Sequence, residues 1–238
     1  MSDAIKLGLI GCGGQGGYLS EAAAISGRAQ LVACADLNAA RAEGFAARFG
    51  YAEAYGNAAE MLDEAEIEAV IVATTHEHLQ PSAMDALRAG KHALVEKPMA
   101  LNAADGRALV AEARKRDLRL MCGYTLRFLP ERLEMRRLLE AGAVGEVTHV
   151  TAGQLIGGLS GWLADRHRGG GPLYYVGTHA LDFLLWMAGT PVESVFAQIN
   201  WAEDRSVETD ASLAIRFEGG ALGQLLTSQR MGGRSAVA

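Results

Sequence analysis

In the first half of the chain, short unbroken apolar runs alternate with amphipathic stretches. That rhythm predicts strands interleaved with helices. Leu7, Leu9 and Ile10 begin the series as a short buried strand. Leu31-Val32-Ala33-Cys34-Ala35, Ala69-Val70-Ile71-Val72-Ala73, His92-Ala93-Leu94-Val95 and Leu118-Arg119-Leu120-Met121-Cys122 continue it. Runs without polar alternation suit a parallel sheet, whose strands are covered on both faces. The stretches between carry helix punctuation. After the first glycines, helix formers begin at Tyr18. Asn38 caps a helix that runs to Phe49 and stops at Gly50. Asn57 caps a short helix over 58–62, Pro81 lies near the start of one ending before Gly90, and Asn102 caps one to about Arg116. Thr74 to His78 reads as a loop. The expected fold class is α/β, a Rossmann-type doubly wound parallel sheet over residues 1–122.

The rhythm changes beyond Cys122. Pro130 opens a helix over 131–141, 146–154 reads as a strand, and 157–171 is a glycine-rich loop. A helix over 173–187 precedes strands at 192–201, 211–217 and 221–229, the last two joined by a turn at Glu218-Gly219-Gly220. Residues 123–238 therefore read as a smaller α+β domain with an open, mostly antiparallel sheet.

A cofactor turn and three further segments carry candidate chemistry. The first strand runs into Gly11-Cys12-Gly13-Gly14-Gln15-Gly16, the spacing of a dinucleotide-binding turn. Backbone N–H groups and the positive end of the following helix then aim at one point, where a pyrophosphate sits well. Asp36, at the tip of the second strand, can accept hydrogen bonds from the adenosine ribose; its charge favours NAD over NADP, and Arg41 weakens that preference. Asp36 also reads as a residue starting the helix after Asn38. Thr74 borders the same crevice. Glu96-Lys97-Pro98 follows a strand at the sheet's carboxyl edge. There Lys97 can stabilise or exchange a proton with a reacting hydroxyl, and Glu96 can orient it. In a helix Tyr175, His179 and Asp182 fall at i, i+4 and i+7 and share a face. His179 is then a candidate acid/base held by Asp182. Arg127 can bind an anionic or polyhydroxy substrate, or pair with an acid of the helix from Glu131. Glu96-Lys97-Pro98, residues 169–182 and residues 123–128 are expected to meet at the carboxyl edge of the first sheet.

Composition removes other classes. Net charge is −6, with acids and bases interspersed, unlike a nucleic-acid-binding surface. No apolar run approaches the ~20 residues of a membrane span. Cys12, Cys34 and Cys122 lack the spacing of a disulfide framework and read as reduced thiols of a cytoplasmic protein. The first strand begins close to Met1, so no signal peptide is expected. His76-Glu77-His78 has metal-like spacing without a further convergent ligand, so no metal is expected.

Together these residues resemble the Gfo/Idh/MocA (glucose–fructose oxidoreductase/inositol dehydrogenase) family. The likeness is carried by Gly11-x-Gly13-x-x-Gly16, Ala89-Gly90-Lys91-His92 leading to Glu96-Lys97-Pro98, Arg127, Gly142-x-x-Gly145-Glu146-Val147, and Gly169-Gly170-Gly171 before Gly177-x-His179-x-x-Asp182. The resemblance implies a Rossmann domain binding NAD or NADP and a second, substrate-binding α/β domain. It also implies reversible oxidation of a hydroxyl on a sugar, cyclitol or similar small molecule. Lys97 matches the family's catalytic lysine and His179 its acid/base histidine. Tyr175 stands where the family usually has aspartate, Leu79 where it often has histidine, and the second sheet is shortened at its carboxyl end relative to the family, which implies either a homo-oligomer formed through that sheet or a truncated chain. A nucleotide-binding homologue without turnover, a sensor or a truncated member, is the competing expectation.

Overall fold

The computed structural model describes residues 4–203, 206–231 and 235–237. The five apolar runs of the first half, joined by a short strand at Glu53–Tyr55 that the pattern did not mark, pair into one six-stranded sheet. Its strands are β1 (Ile5–Ile10), β2 (Ala29–Ala35), β3 (Glu53–Tyr55), β4 (Ala69–Val72), β5 (His92–Val95) and β6 (Leu120–Cys122), in the order β3-β2-β1-β4-β5-β6. Every pairing is parallel. The order reverses direction between β1 and β4, where the first crossover goes one way and the next the other. A crevice opens there at the carboxyl ends of the strands.

Five helices connect the strands: α1 (Gly14–Ile25), α2 (Ala39–Phe49), α3 (Ala58–Glu64), α4 (His76–Arg88) and α5 (Ala103–Lys115). Three start on the expected asparagines: Asn38 accepts from the Arg41 N–H, Asn57 from Ala59 and Asn102 from Asp105. Each side chain satisfies an amide that the helix itself cannot. Leu79, Ala83, Ala86 and Leu87 of α4 lie in one buried cluster with Val70, Val72 and Val95. Phe45 of α2, Tyr51, Cys34 and Ile71 form another.

Two helix starts differ from expectation. α1 begins at Gly14 rather than Tyr18, because the Gly17 N–H already reaches the Gly13 carbonyl at 3.0 Å. Helix propensity disfavours glycine there, but close packing against the rest of the domain outweighs it. α4 begins at His76, so the expected loop of Thr74 to His78 is mostly a first helical turn, with His76 buried.

The chain divides into two units, Met1–Gly123 and Tyr124–Ala238. The second contains α6 (Pro130–Glu140), β7 (His149–Leu155), α7 (Thr178–Ala188), β8 (Val192–Trp201), β9 (Glu208–Phe217), β10 (Leu222–Ser228) and β11 (Ser235–Val237). Its sheet runs β11-β7-β10-β9-β8, with β7–β10 parallel and the other pairings antiparallel. Gly219 and Gly220, at φ +92° and +98°, turn β9 into β10 as the glycines foretold.

α7 packs Ala180, Phe183, Leu184 and Met187 against Ala152, Ile215, Phe217 and Leu225. That cover does not extend to the edge strand. All ten residues of β8 are exposed, although Val195 and Ile199 lie directly opposite the buried Ile215 and Ala211. Directly paired residues point to the same face of a sheet. The apolar inner face therefore continues outward onto an uncovered strip.

Candidate active site

The turn after β1 is shaped by contacts that only glycine permits. Gly11 has φ +101°, and a Cβ there would lie 2.6 Å from the Ala73 carbonyl oxygen. A Cβ on Gly16 would lie 2.4 Å from the Gly11 carbonyl oxygen. Gly13 and Gly14 face the opposite case: a Cβ on either would meet nothing within 4 Å, so this side of the turn is open. α1 carries no acidic residue in its first turn and no side-chain cap. Its leading N–H groups point into that open space, a cradle that fits a pyrophosphate.

Asp36 stands beside it at the tip of β2. Its Oδ2 accepts the Cys12 N–H at 3.1 Å, its Oδ1 accepts the Asn38 N–H at 2.9 Å, and Arg41 approaches to 3.6 Å. Both sequence readings of Asp36 meet in this geometry. It fastens the start of α2, and its acceptor capacity exceeds those two bonds, as a ribose diol requires. A groove of about 420 Å³ lies alongside, lined by Cys12, Gly13, Gly14, Tyr18, Arg41 and Phe49 among others. Cys12 and Cys34 are free buried thiols. Hydrogen bonding to Cys34, then burial, pushes the Cys12 thiol well up, so it presents no charge to a phosphate.

Glu96 and Lys97 follow β5 on the same edge. Glu96 is buried, at 5% exposure. Its Oε1 accepts the Gln15 Nε2–H at 2.8 Å, and its Oε2 accepts the Lys97 backbone N–H at 3.1 Å. Space for the carboxylate comes from Gly123, where a Cβ would sit 3.3 Å from Glu96 Oε1. The Lys97–Pro98 peptide is cis. Burial lowers the pKa of the Lys97 ammonium, against the opposing pull of Glu96 and Cys122. A lysine so placed can release its proton more readily than one in water. Thr74 follows β4 at the switch point, its hydroxyl donating to the Thr75 carbonyl at 3.2 Å. His76, Glu77 and His78 form no metal site, and no cluster of three or more His, Cys, Asp or Glu able to hold a metal occurs among the described residues.

In the second unit the helix expected over 173–187 is interrupted. Leu173–Gly177 forms a π-helical turn that carries Tyr175, and α7, with His179 and Asp182, starts after it. Such widened turns recur at functional sites. The turn is pinned from below: the Leu173 N–H donates to Glu208 Oε1 at 2.7 Å, and a Cβ on Gly171 would lie 2.5 Å from Glu208 Oε2. Glu208 is buried, and desolvation raises its pKa.

Asp182 does not take the place beside His179 that its spacing suggested. It receives Arg127 in a bidentate pair, Nε to Oδ2 at 2.8 Å and Nη2 to Oδ1 at 2.6 Å. Arg127 therefore meets an acid of α7, not of α6, and its guanidinium lies 5.4 Å from the Trp186 ring centroid. The pair fixes both groups and ties the segment before α6 to α7. The ring neighbour of His179 is instead Tyr124, edge-on at 6.1 Å, whose hydroxyl is 3.0 Å from Thr178 Oγ1. Gln15's side-chain role, Tyr124, Thr178 and Glu208 escaped the sequence reading. Gln15 stood in the quoted glycine turn and Tyr124 beside Arg127, but nothing in the strand pattern marks Glu208 as a helix anchor.

No helix among the described residues is long and apolar enough to cross a membrane. A family model described as an oxidoreductase family with an NAD-binding Rossmann fold matches residues 5–124, and one for the GFO/IDH/MocA C-terminal domain matches 133–237. Trans-1,2-dihydrobenzene-1,2-diol dehydrogenase of Mus musculus is 32% identical over 199 residues, 83% of this chain and 59% of that protein. The chain thus spans about three fifths of the curated relatives it matches first. Among solved structures, GenD2 from gentamicin A biosynthesis, in complex with NAD, is 27% identical with a TM-score of 0.91, covering 99% of this chain and 69% of that one. The WlbA dehydrogenase from Bordetella pertussis, in complex with NADH and UDP-GlcNAcA, is 26% identical with a TM-score of 0.88, covering 97% and 74%.

Proposed function

This chain belongs to the Gfo/Idh/MocA family of oxidoreductases, with its NAD-binding Rossmann fold, and from that membership we propose that it interconverts a hydroxyl and a carbonyl on a sugar, cyclitol or related polyhydroxy molecule. The observation that carries the reading is Lys97 at the carboxyl edge of β5, its neighbour Glu96 bonded to the glycine turn through Gln15. When bound, the nicotinamide supplies the hydride acceptor or donor. Gly11, Gly13, Gly14, Gln15 and Gly16 hold the diphosphate through the α1 amides, Asp36 takes the ribose, and Thr74 lines the crevice. Arg41, already drawn toward Asp36, is the group that would tolerate a 2′-phosphate. Lys97 faces the reacting hydroxyl and takes or returns its proton. His179 serves as the acid/base histidine of the family's pattern, with Tyr175 in the usual place of an aspartate. Tyr175 offers a hydroxyl where an aspartate would offer a carboxylate, so it can bond a substrate hydroxyl but brings no carboxylate to pair with a histidinium. Arg127 and Asp182 hold the substrate-side helix in place. Three cysteines outside any disulfide fit a reducing, cytoplasmic setting.

The test is NADH binding by fluorescence, followed by hydride transfer over a panel of sugars, cyclitols and their keto forms. Binding with turnover on at least one polyhydroxy compound is expected. Binding with no transfer to any carbonyl would replace this reading by that of a nucleotide-binding sensor, the outcome that Tyr175 favours. Val195 and Ile199 on one face of β8 and Phe196 on the other, all at least 40% exposed, leave this edge strand apolar and uncovered, which supports association of two copies through the sheet. Sedimentation of the pure chain is expected to show a dimer or larger; a monomer at micromolar concentration would remove that part.

A further inference from the structure

The Gln15 side chain is spent on another part of the protein. It projects from the second residue of α1, the helix whose amides face the phosphates, to the buried carboxylate of Glu96. Both Glu96 oxygens are engaged, one by Gln15 and one by the Lys97 backbone N–H. The start of α1 is itself braced by close contacts. Gly16 is in close contact with the Gly11 carbonyl, and the Ser20 hydroxyl bonds the Gly16 carbonyl at 2.7 Å and Tyr51 at 2.8 Å. Gly123 leaves just enough room behind the carboxylate. A closely packed helix start, a carboxamide, a carboxylate and the reactive lysine thus form one continuous chain of contacts.

We infer that Gln15 is a positioning residue for Lys97: its carboxamide fixes the Glu96 carboxylate, and through it the lysine, to the turn that grips the cofactor. This deepens the proposed function and rests on Lys97 meeting the substrate. Within the first unit, the charged and titratable groups acting on Lys97 are Glu96, from its own segment, and Cys122, at the end of β6. Glu96 raises the lysine's proton affinity while burial lowers it. The setting of that balance depends on where the carboxylate is held. Without the Gln15 donor, Glu96 Oε1 must find another, and the adjacent ammonium is the strongest available.

The probe is acetic anhydride labelling of Lys97 against pH, read by peptide mass spectrometry on the whole chain. It needs no turnover. Gln15→Ala is expected to raise the labelling midpoint by about half a unit or more, and Glu96→Gln to lower it. The double variant should match Glu96→Gln alone, because Gln15 acts only through the carboxylate. Hydride transfer near neutral pH should fall about tenfold in Gln15→Ala, with NADH affinity changed less than about threefold. A Gln15→Ala midpoint equal to the wild type overturns the inference, as do additive shifts in the double variant. A large loss of NADH affinity with an unmoved midpoint also overturns it and makes Gln15 a simple cofactor ligand. A wild-type chain that labels normally but transfers no hydride would sink the proposed reaction instead, leaving the midpoints to decide this point.

Discussion

Lys97→Met is expected to lower kcat by about 10³-fold while leaving the NADH dissociation constant within about threefold. The methionine keeps the length and apolar character of the buried stem, so the fold persists. What disappears is the group that moves the hydroxyl proton and stabilises the developing alkoxide. Removing a partly desolvated ammonium should leave thermal stability unchanged or slightly higher. Lys97→Arg should fare no better, since guanidinium holds its proton across the accessible range. The wild type should show alcohol oxidation rising with pH on a limb below the ordinary lysine value of ~10.4, because burial lowers the Lys97 pKa and populates the neutral base earlier. The limb should vanish in Lys97→Met. Steady-state kinetics with a fluorescence titration would check all of this, and a fully active Lys97→Met enzyme would move the chemistry to another residue.

Gly16→Ala is expected to damage the fold and cofactor binding together. The new Cβ would stand 2.4 Å from the Gly11 carbonyl oxygen, a backbone atom in a turn already held at φ +101°. Neither partner can step aside without moving α1 off β1. A cost of about 2–4 kcal/mol is expected from such overpacking, with at least a ~100-fold loss in NADH affinity as the α1 amides shift. Gly14→Ala is the control. Its methyl meets nothing in the protein, so the chain should melt at or above the wild-type temperature while binding NADH more weakly, because the methyl occupies the phosphates' space. Calorimetric melting and binding titration separate the two effects. Equal melting and affinity for Gly16→Ala and the wild type would show that the turn is not built as described.

These expectations draw on features that differ in how plainly the chain displays them. Five strands of the parallel sheet were legible because each is a local apolar run, whereas β3 is three residues long and mostly exposed and left no such run; Asn38, Asn57 and Asn102 mark helix starts by bonding amides two or three residues away. Asp36 and Lys97 were legible because a strand's carboxyl end is itself a local position. Contacts between distant residues were not. Gln15 and Glu96 are separated by 81 positions and Arg127 and Asp182 by 55, so helical periodicity assigned Asp182 to His179 when a guanidinium had the better claim. The π-helical turn at Leu173–Gly177 is set by Glu208, 35 residues beyond Leu173. The start of α1 moved for the same reason: tight packing around glycines overrode their poor intrinsic tendency to coil.

The placement of β10 bears on how the chain is made. Every strand of the first sheet emerges from the ribosome before Gly123, so that half can collapse while synthesis continues. The second sheet cannot. Leu222–Ser228 lies between β7 and β9, and its parallel partner His149–Leu155 must wait for some seventy more residues to be translated. Until then β7 has an unpaired flank and α7 has little to cover. Nascent chains stalled before Leu222 should therefore be the form that chaperones hold and proteases cut.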